Sequence, residues 1–292
     1  MPKLRGKNPK LAKPSRPKIM VYSRAGVGKT WTSLDFPDGY LIDCEGGANL
    51  PEYTDKLEDS GTMYLGPEDG ANDFAVVLQE VKTLATSKHD RKTLIIDSFT
   101  KLFNTAIQIE HDRLVEDGKK TDFGVDKKPA ISMTRKLIRW LDNLDMNVIL
   151  ICHEKARWKD GEQIGETFDG WDKLEFEFNL VLQIIKQGRT RKAKVVKSRY
   201  KDFEDGALVD WTYTTFAEIF GRDVTEADSV ALELATEDQV RRATKLAELL
   251  KIDPGDLAKG WDKHGVDGWH EMTSENIAVS ISKMENKLKV EA

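Results

Sequence analysis

The segment Ser23-Arg24-Ala25-Gly26-Val27-Gly28-Lys29-Thr30 lies between an apolar run, Ile19 to Val21, and a stretch with helical patterning. Strand, glycine-rich turn, Lys-Thr and helix make up the layout of a phosphate-binding loop. The chemistry requires these residue types. Gly26 and Gly28 let the backbone wrap closely round a polyphosphate, with its N–H groups aimed inward at a helix N-terminus. Lys29 reaches the β- and γ-phosphates, and the Thr30 hydroxyl can ligate Mg²⁺. The predicted binding segment comprises Ser23, Gly26, Val27, Gly28, Lys29, Thr30 and Trp31. Ser23 stands where the usual G-x-x-x-x-G-K-[ST] pattern opens with glycine, and a small polar residue suits that tight exit from the strand.

Around this loop, strand-like and helix-like segments alternate. Apolar runs at Lys18–Ser23, Tyr40–Asp43, Thr62–Leu65, Thr93–Asp97 and Asn147–Cys152 read as strands. Helical patterns cover Lys29–Phe36, Phe74–Thr86, Phe99–Val115 and Ala130–Leu144. Strands apolar throughout are expected where helices cover both faces, so the fold class is α/β, a doubly wound, mostly parallel sheet. Glu177–Gln187 and Arg191–Tyr200, joined by a tight turn at residues 188–190, extend that sheet as an antiparallel hairpin. Residues 203–235 form a mixed closing segment. Helices at 237–250, 254–264 and 273–288, with Thr236 and Thr273-Ser274 as caps, predict a small C-terminal helical domain over 236–292.

No apolar run approaches the roughly 18 residues of a membrane span, and the N-terminus lacks the apolar centre of a signal peptide. Cys44 and Cys152 sit in or at the end of apolar runs and read as small buried residues in a reducing cytoplasm. The net charge of −5 does not advertise nucleic-acid binding, but the charge is unevenly spread. Lys3, Arg5, Lys7, Lys10, Lys13, Arg16 and Lys18 occur with no acidic residue and with prolines, which predicts a disordered basic arm over residues 1–17. A solubilising tail and an arm for phosphates or a neighbouring subunit fit it equally.

A phosphate loop needs a carboxylate to hold the metal's water shell. Leu94-Ile95-Ile96-Asp97 supplies one at a strand end, making Thr30 and Asp97 the metal pair. Hydrolysis also needs a group that orients or deprotonates water. Ile42-Asp43-Cys44-Glu45 ends a strand with two carboxylates. Alternation would turn both the same way, with Glu45 further out and the better base, although a solvated acidic turn has the same pattern.

Read together, Ile42-Asp43-Cys44-Glu45, Leu94-Ile95-Ile96-Asp97-Ser98, Ile149-Leu150-Ile151-Cys152-His153 and Lys194-Val195-Val196-Lys197-Ser198-Arg199 resemble the ordered motifs of the RecA-type recombinase core. Over roughly residues 18–220 the chain resembles the short, core-only RecA-like ATPases of bacteriophages that act in single-strand annealing. The resemblance implies a RecA-like ATPase core over 18–221 that uses ATP and Mg²⁺. It implies that His153, where recombinases carry a glutamine, senses the γ-phosphate. It implies that Lys197 and Arg199 enter the ATP site of an adjacent subunit in a filament or ring, and that Tyr53 stacks on adenine. An ordinary solvated basic strand remains the alternative for the two cations.

Residues 116–129 carry Lys119, Lys120, Phe123, Lys127 and Lys128, and residues 154–173 carry Lys155, Arg157, Trp158, Lys159, Phe168 and Trp171. Cations interleaved with aromatics suit a groove that tracks phosphates and stacks bases, and these stretches fall where the family places its two DNA loops. Packing of the aromatics on the protein's own surface competes with that reading. The expected function is ATP-dependent binding and annealing of single-stranded DNA in phage recombination. A helicase-like or loader ring and a small-molecule kinase are the alternatives. The C-terminal helices have a single-strand-binding protein, DNA or a helicase as candidate partners.

Overall fold

The computed structural model describes residues 15–291. The apolar runs form β1 (Lys18–Ser23), β2 (Gly39–Asp43), β3 (Met63–Leu65), β4 (Thr93–Asp97) and β5 (Asn147–Lys159). β6 (Glu162–Asp169) folds back on β5, and β7 (Leu180–Gln187), β8 (Thr190–Ser198) and β9 (Leu208–Asp210) follow. They make one sheet in the order β3-β2-β4-β5-β1-β7-β8-β9, with β6 paired to β5 off this path. The pairings from β3 through β7 are parallel, whereas β5–β6, β7–β8 and β8–β9 are antiparallel. This is the expected α/β arrangement, a mostly parallel sheet extended by an antiparallel hairpin.

Every residue of β1 is buried because the strand lies in mid-sheet under helices on both sides. Its alternate side chains feed two cores. Met20 and Tyr22 join Leu94, Ile96, Val148 and Leu150 beneath α3 (Phe74–Thr86), α4 (Phe99–Glu116) and α5 (Lys127–Asn143). Ile19 and Val21 join Ile95, Ile149 and Ile151 on the other face, with Leu34 and Phe36 from the chain following α1 (Lys29–Ser33). The closing segment seals that second core with Phe203, with Trp211 after β9, and with Phe216 on α7 (Tyr213–Phe220).

Several elements depart from the sequence expectation. β5 runs seven residues past its apolar run, because beyond Cys152 it leaves the core and pairs with β6, for example Lys155 with Thr167. The stretch 154–173 is therefore largely a β-hairpin and not a loop. Phe168 is buried and meets Tyr22 edge-on at 6.3 Å, so it belongs to the core. α5 begins at Lys127, which places Lys127 and Lys128 in its first turn, and residues 174–177 form a short α6 where a strand was expected to start. α2 (Pro51–Asp59) and α8 (Arg222–Thr225) complete this part of the chain.

Of the predicted basic arm, Lys3, Arg5, Lys7, Lys10 and Lys13 lie outside the described residues. Arg16 is buried, pairs with Asp145 at 3.3 Å and donates to the carbonyls of Val224, Ala227 (2.6 Å) and Asp228 (3.0 Å). Lys18 is buried and donates to the carbonyls of Leu144 (2.6 Å) and Met146 (3.2 Å). Burial pushes its pKa down to about 7, partly opposed by Asp142 and Asp145. The unfolded chain therefore binds more protons than the folded one between about pH 7 and 10.5, and the Lys18 contribution to stability rises across that window. Denaturant titration is expected to show this rise in the wild type and a flatter profile in Lys18→Met. Parallel pH profiles would rule the assignment out.

The C-terminal helices α9 (Glu237–Leu249), α10 (Pro254–His264) and α11 (Ser274–Glu291) pack onto the α3–α5 side. Ala243, Ala247, Met272, Ile277 and Ile281 share one apolar cluster with Val81, Leu137 and Trp140. Lys82 pairs with Glu271 at 2.8 Å across this contact, and Lys136 pairs with Asp267. Thr236 starts α9 through a reciprocal capping box with Gln239. Among the described residues no helix is long and apolar enough to cross a membrane.

Candidate nucleotide site

Ser23, the last residue of β1, opens the phosphate loop and is almost fully buried. Its Oγ donates to the Arg24 carbonyl at 2.9 Å and accepts from Lys29 Nζ at 3.2 Å. Lys29 Nζ also donates to the carbonyls of Ser23 (3.1 Å) and Arg24 (3.2 Å), so its ammonium lies under the loop. Burial lowers the Lys29 pKa, while Asp97 and Glu45 oppose the shift. Gly28 sits at φ 100° just ahead of α1, a conformation that a side chain would strain.

A cleft of about 260 Å³ opens beside this loop, lined in part by Gly26, Lys29 and Thr30. Asp97, Glu45, His153, Leu50 and Tyr53 also line it. β4 brings Asp97 into the cleft although β5 separates β4 from β1 in the sheet. The Thr30 hydroxyl donates to Asp97 Oδ2. Burial raises the Asp97 pKa to about 6, against the opposing hydrogen bond from Thr30. A hydroxyl and a carboxylate are the hard oxygen donors Mg²⁺ takes when phosphates and waters complete its shell. Thr30 and Asp97 fit that ion. Among the described residues no group of three or more His, Cys, Asp or Glu side chains could hold a metal unaided.

The two carboxylates at the end of β2 and just after it separate by role. Asp43 is buried, and its oxygens accept the amides of Glu45 (3.0 Å), Gly46 (2.9 Å) and Ala48 (2.8 Å). It shapes the turn. β2 ends at Asp43, so strand alternation does not govern Glu45, which reaches the cleft through this turn. Glu45 accepts from the Ser98 hydroxyl and lies 2.6 Å from His153 Nε2. The bond from His153 lowers the Glu45 pKa, and the same bond raises that of His153.

His153 is the point where β5 passes from core to hairpin, and its backbone N–H donates to Thr100 Oγ1 at 2.9 Å. Beyond it, Lys155 pairs with Asp169 at 3.2 Å, Arg157 and Lys159 are exposed, and Trp158 keeps 64% of its surface exposed. Trp171 differs. It is half-buried against the α5 side, with the Arg135 guanidinium over its ring at 5.5 Å. Lys119 pairs with Asp117 at 2.9 Å, while Lys120, Lys127 and Lys128 are exposed on the neighbouring turn. Trp31 flanks the cleft mouth and meets Tyr53 edge-on at 5.4 Å.

Lys197 and Arg199 lie elsewhere. Lys197 pairs in register with Val181 and, through it, Met20, whereas the phosphate loop follows Ser23. That places Lys197 roughly 10 Å back along the sheet and roughly 10 Å across it from its own loop. Its Nζ donates to the carbonyls of Glu175 and Phe178 (2.8 Å). Burial and the neighbouring Arg199 charge lower its pKa. A bulge between Val181 and Leu182 resets the alternation of β8, and Arg199 falls just past the strand end.

Two contacts at the loop involve residues that sequence patterning did not single out. Arg24 reaches Glu154 (3.1 Å) and Glu166 (3.5 Å), tying the phosphate loop to the base of the β5–β6 hairpin. Arg191 donates to the Val27 carbonyl at 2.9 Å. A cation inside a phosphate loop facing acidic strand residues was the available signal for Arg24. Arg191 had none.

The sequence profile described as AAA_24, an AAA domain, matches residues 15–204. No curated protein sequence matches the chain. Among solved structures, a RadB recombinase is similar with a TM-score of 0.43 and 18% identity, over 66% of this chain and 85% of that one. The profile match spans more than half of the chain and contains the phosphate loop, Glu45, Asp97, His153 and Lys197, so the protein belongs to the AAA_24 family and is a P-loop NTPase.

Proposed function

We propose that this protein is an ATPase that binds single-stranded DNA and acts in recombination, annealing strands as the phage proteins it resembles do. Residues 18–221 are the ATPase core and 236–292 a helical appendage. ATP and Mg²⁺ occupy the cleft, with Lys29, Thr30, Asp97 and Glu45 from one subunit. Lys197 and Arg199 come from the next copy in a filament or ring, and His153 responds to the γ-phosphate. The appendage is a candidate contact for a single-strand-binding protein, and the host cytoplasm is the expected setting.

The observation that carries this reading is the path from Glu45 through His153 into the β5–β6 hairpin, whose outer half holds Lys155, Arg157, Trp158 and Lys159. Arg24 supports it by joining the phosphate loop to the same hairpin. Lys127 and Lys128 add to it, because cations in the first turn of a helix oppose the helix dipole and are not there for the helix's sake. With Lys119 and Lys120 they form the second basic edge.

ATP hydrolysis measured with and without single-stranded DNA tests the proposal, and stimulation is the expected result. DNA affinity should fall with salt at a log–log slope of about −0.7 per neutralised phosphate. Trp158→Ala should weaken DNA binding by about 1–3 kcal/mol, the range for one stacked base, and spare nucleotide affinity. Trp171→Ala should lower stability more than DNA affinity, given its packing against the α5 side. Hydrolysis indifferent to DNA, with undiminished DNA binding by Trp158→Ala, would favour a self-contained nucleotide enzyme.

A further inference from the structure

Arg191 sits near the start of β8, paired in register with Lys186 of β7, and its carbonyl accepts the N–H of buried Trp211 at 3.1 Å. From this anchored backbone the side chain reaches the phosphate loop, where Nε–H donates to the Val27 carbonyl at 2.9 Å. The Val27 carbonyl and the Gly28 N–H belong to one planar trans peptide unit, so they point in opposite directions. Holding the carbonyl on Arg191 aims the Gly28 N–H away from the hairpin. In a phosphate loop, the backbone amides are the groups that cradle the α- and β-phosphates.

The space at Gly28 is part of the same contact. A Cβ placed on it would lie 2.2 Å from Arg191 Nε, so the guanidinium fills the space a side chain would take. Among the described residues Arg191 makes no ion pair, and its guanidinium lies beside the loop. We propose that Arg191 is a positioning residue for its own chain's phosphate loop: it fixes the 27–28 peptide plane and sets a cation beside a bound nucleoside polyphosphate. This inference rests on the nucleotide reading of the cleft. It differs from the role given to Lys197 and Arg199, because it operates within one copy and needs neither a neighbour nor DNA.

The test is displacement of a fluorescent ADP analogue from dilute protein, by ADP and by adenosine, which lacks the phosphates. Arg191→Ala is expected to weaken ADP about tenfold, the equivalent of one hydrogen bond, and to leave adenosine unchanged. Arg191→Lys, which keeps the charge and most of the stem, is expected to recover part of the loss and covers the case in which the alanine variant does not fold. Equal ADP affinity in wild type and variants, or matching losses for ADP and adenosine, would overturn the positioning role alone. Wild-type protein that bound no ADP would overturn the nucleotide reading along with it.

Discussion

Lys197→Ala is expected to lower ATP turnover by about 10³-fold or more while leaving nucleotide affinity near wild type. That is the lower end of the range for a cation supplied in trans to a transferring phosphoryl group. The large effect follows from placement. Lys197 is held by the carbonyls of Glu175 and Phe178, set back from its own phosphate loop, so any contribution to hydrolysis must be made at another copy's cleft. Mixing supplies the decisive measurement. Lys197→Ala and Glu45→Gln subunits, each inactive alone, should regain turnover together, because one class of mixed interface joins an intact Glu45 to an intact Lys197. Full activity of Lys197→Ala alone at high protein concentration would show that the cation serves only the strand that carries it.

Glu45→Gln is expected to cost about 10²–10⁴ in turnover, the usual contribution of a positioned base, with ATP still bound. Its carboxylate is the one beside Asp97 and Lys29 whose oxygens are not taken up by a turn, in contrast to Asp43. The partner gives a separate readout. Bonding to Glu45 raises the His153 pKa, so the pair's stabilisation is complete below about 6.5 and is lost as pH rises through the elevated value. At the acid end the Glu45 pKa is depressed, and the same stabilisation is lost as pH falls through it. In Glu45→Gln the His153 titration followed by NMR should drop back towards its ordinary value. Turnover equal to wild type would remove Glu45 from the chemistry.

Much of the architecture was legible because its signals are local. β1 and β4 begin and end where their apolar runs do, and α3 matches its helical pattern to the residue. The outer half of β5 was hidden because its partner is β6, and exposed strands of charged residues have no hydropathy signal. The position of Glu45 beside the phosphate loop was legible, but for a reason the structure replaces, namely Asp43 capping the turn and not continued alternation. α2 had its marker in Pro51 followed by Glu52, masked by the preceding glycines. Trp171 and Phe168 share a sequence neighbourhood with Trp158, yet only packing tells which ring faces water. Arg191 could not be found from the sequence, because 164 residues separate it from the carbonyl it holds.

The continuity of β5 has a mechanical consequence. One strand both lines the cleft at His153 and forms the arm that ends near Trp158, and the bulge beside Arg157 places its extra residue, Ile164, on β6 and not on β5. Such a strand behaves as a beam. Over the five residues from His153 to Trp158, roughly 17 Å of rise, a tilt of about 10° at its root would swing the far indole by about 3 Å. For the base stacking proposed for Trp158, a displacement of that size would separate a stacked ring from an unstacked one, so gripping and letting go would require no unfolding, only leverage.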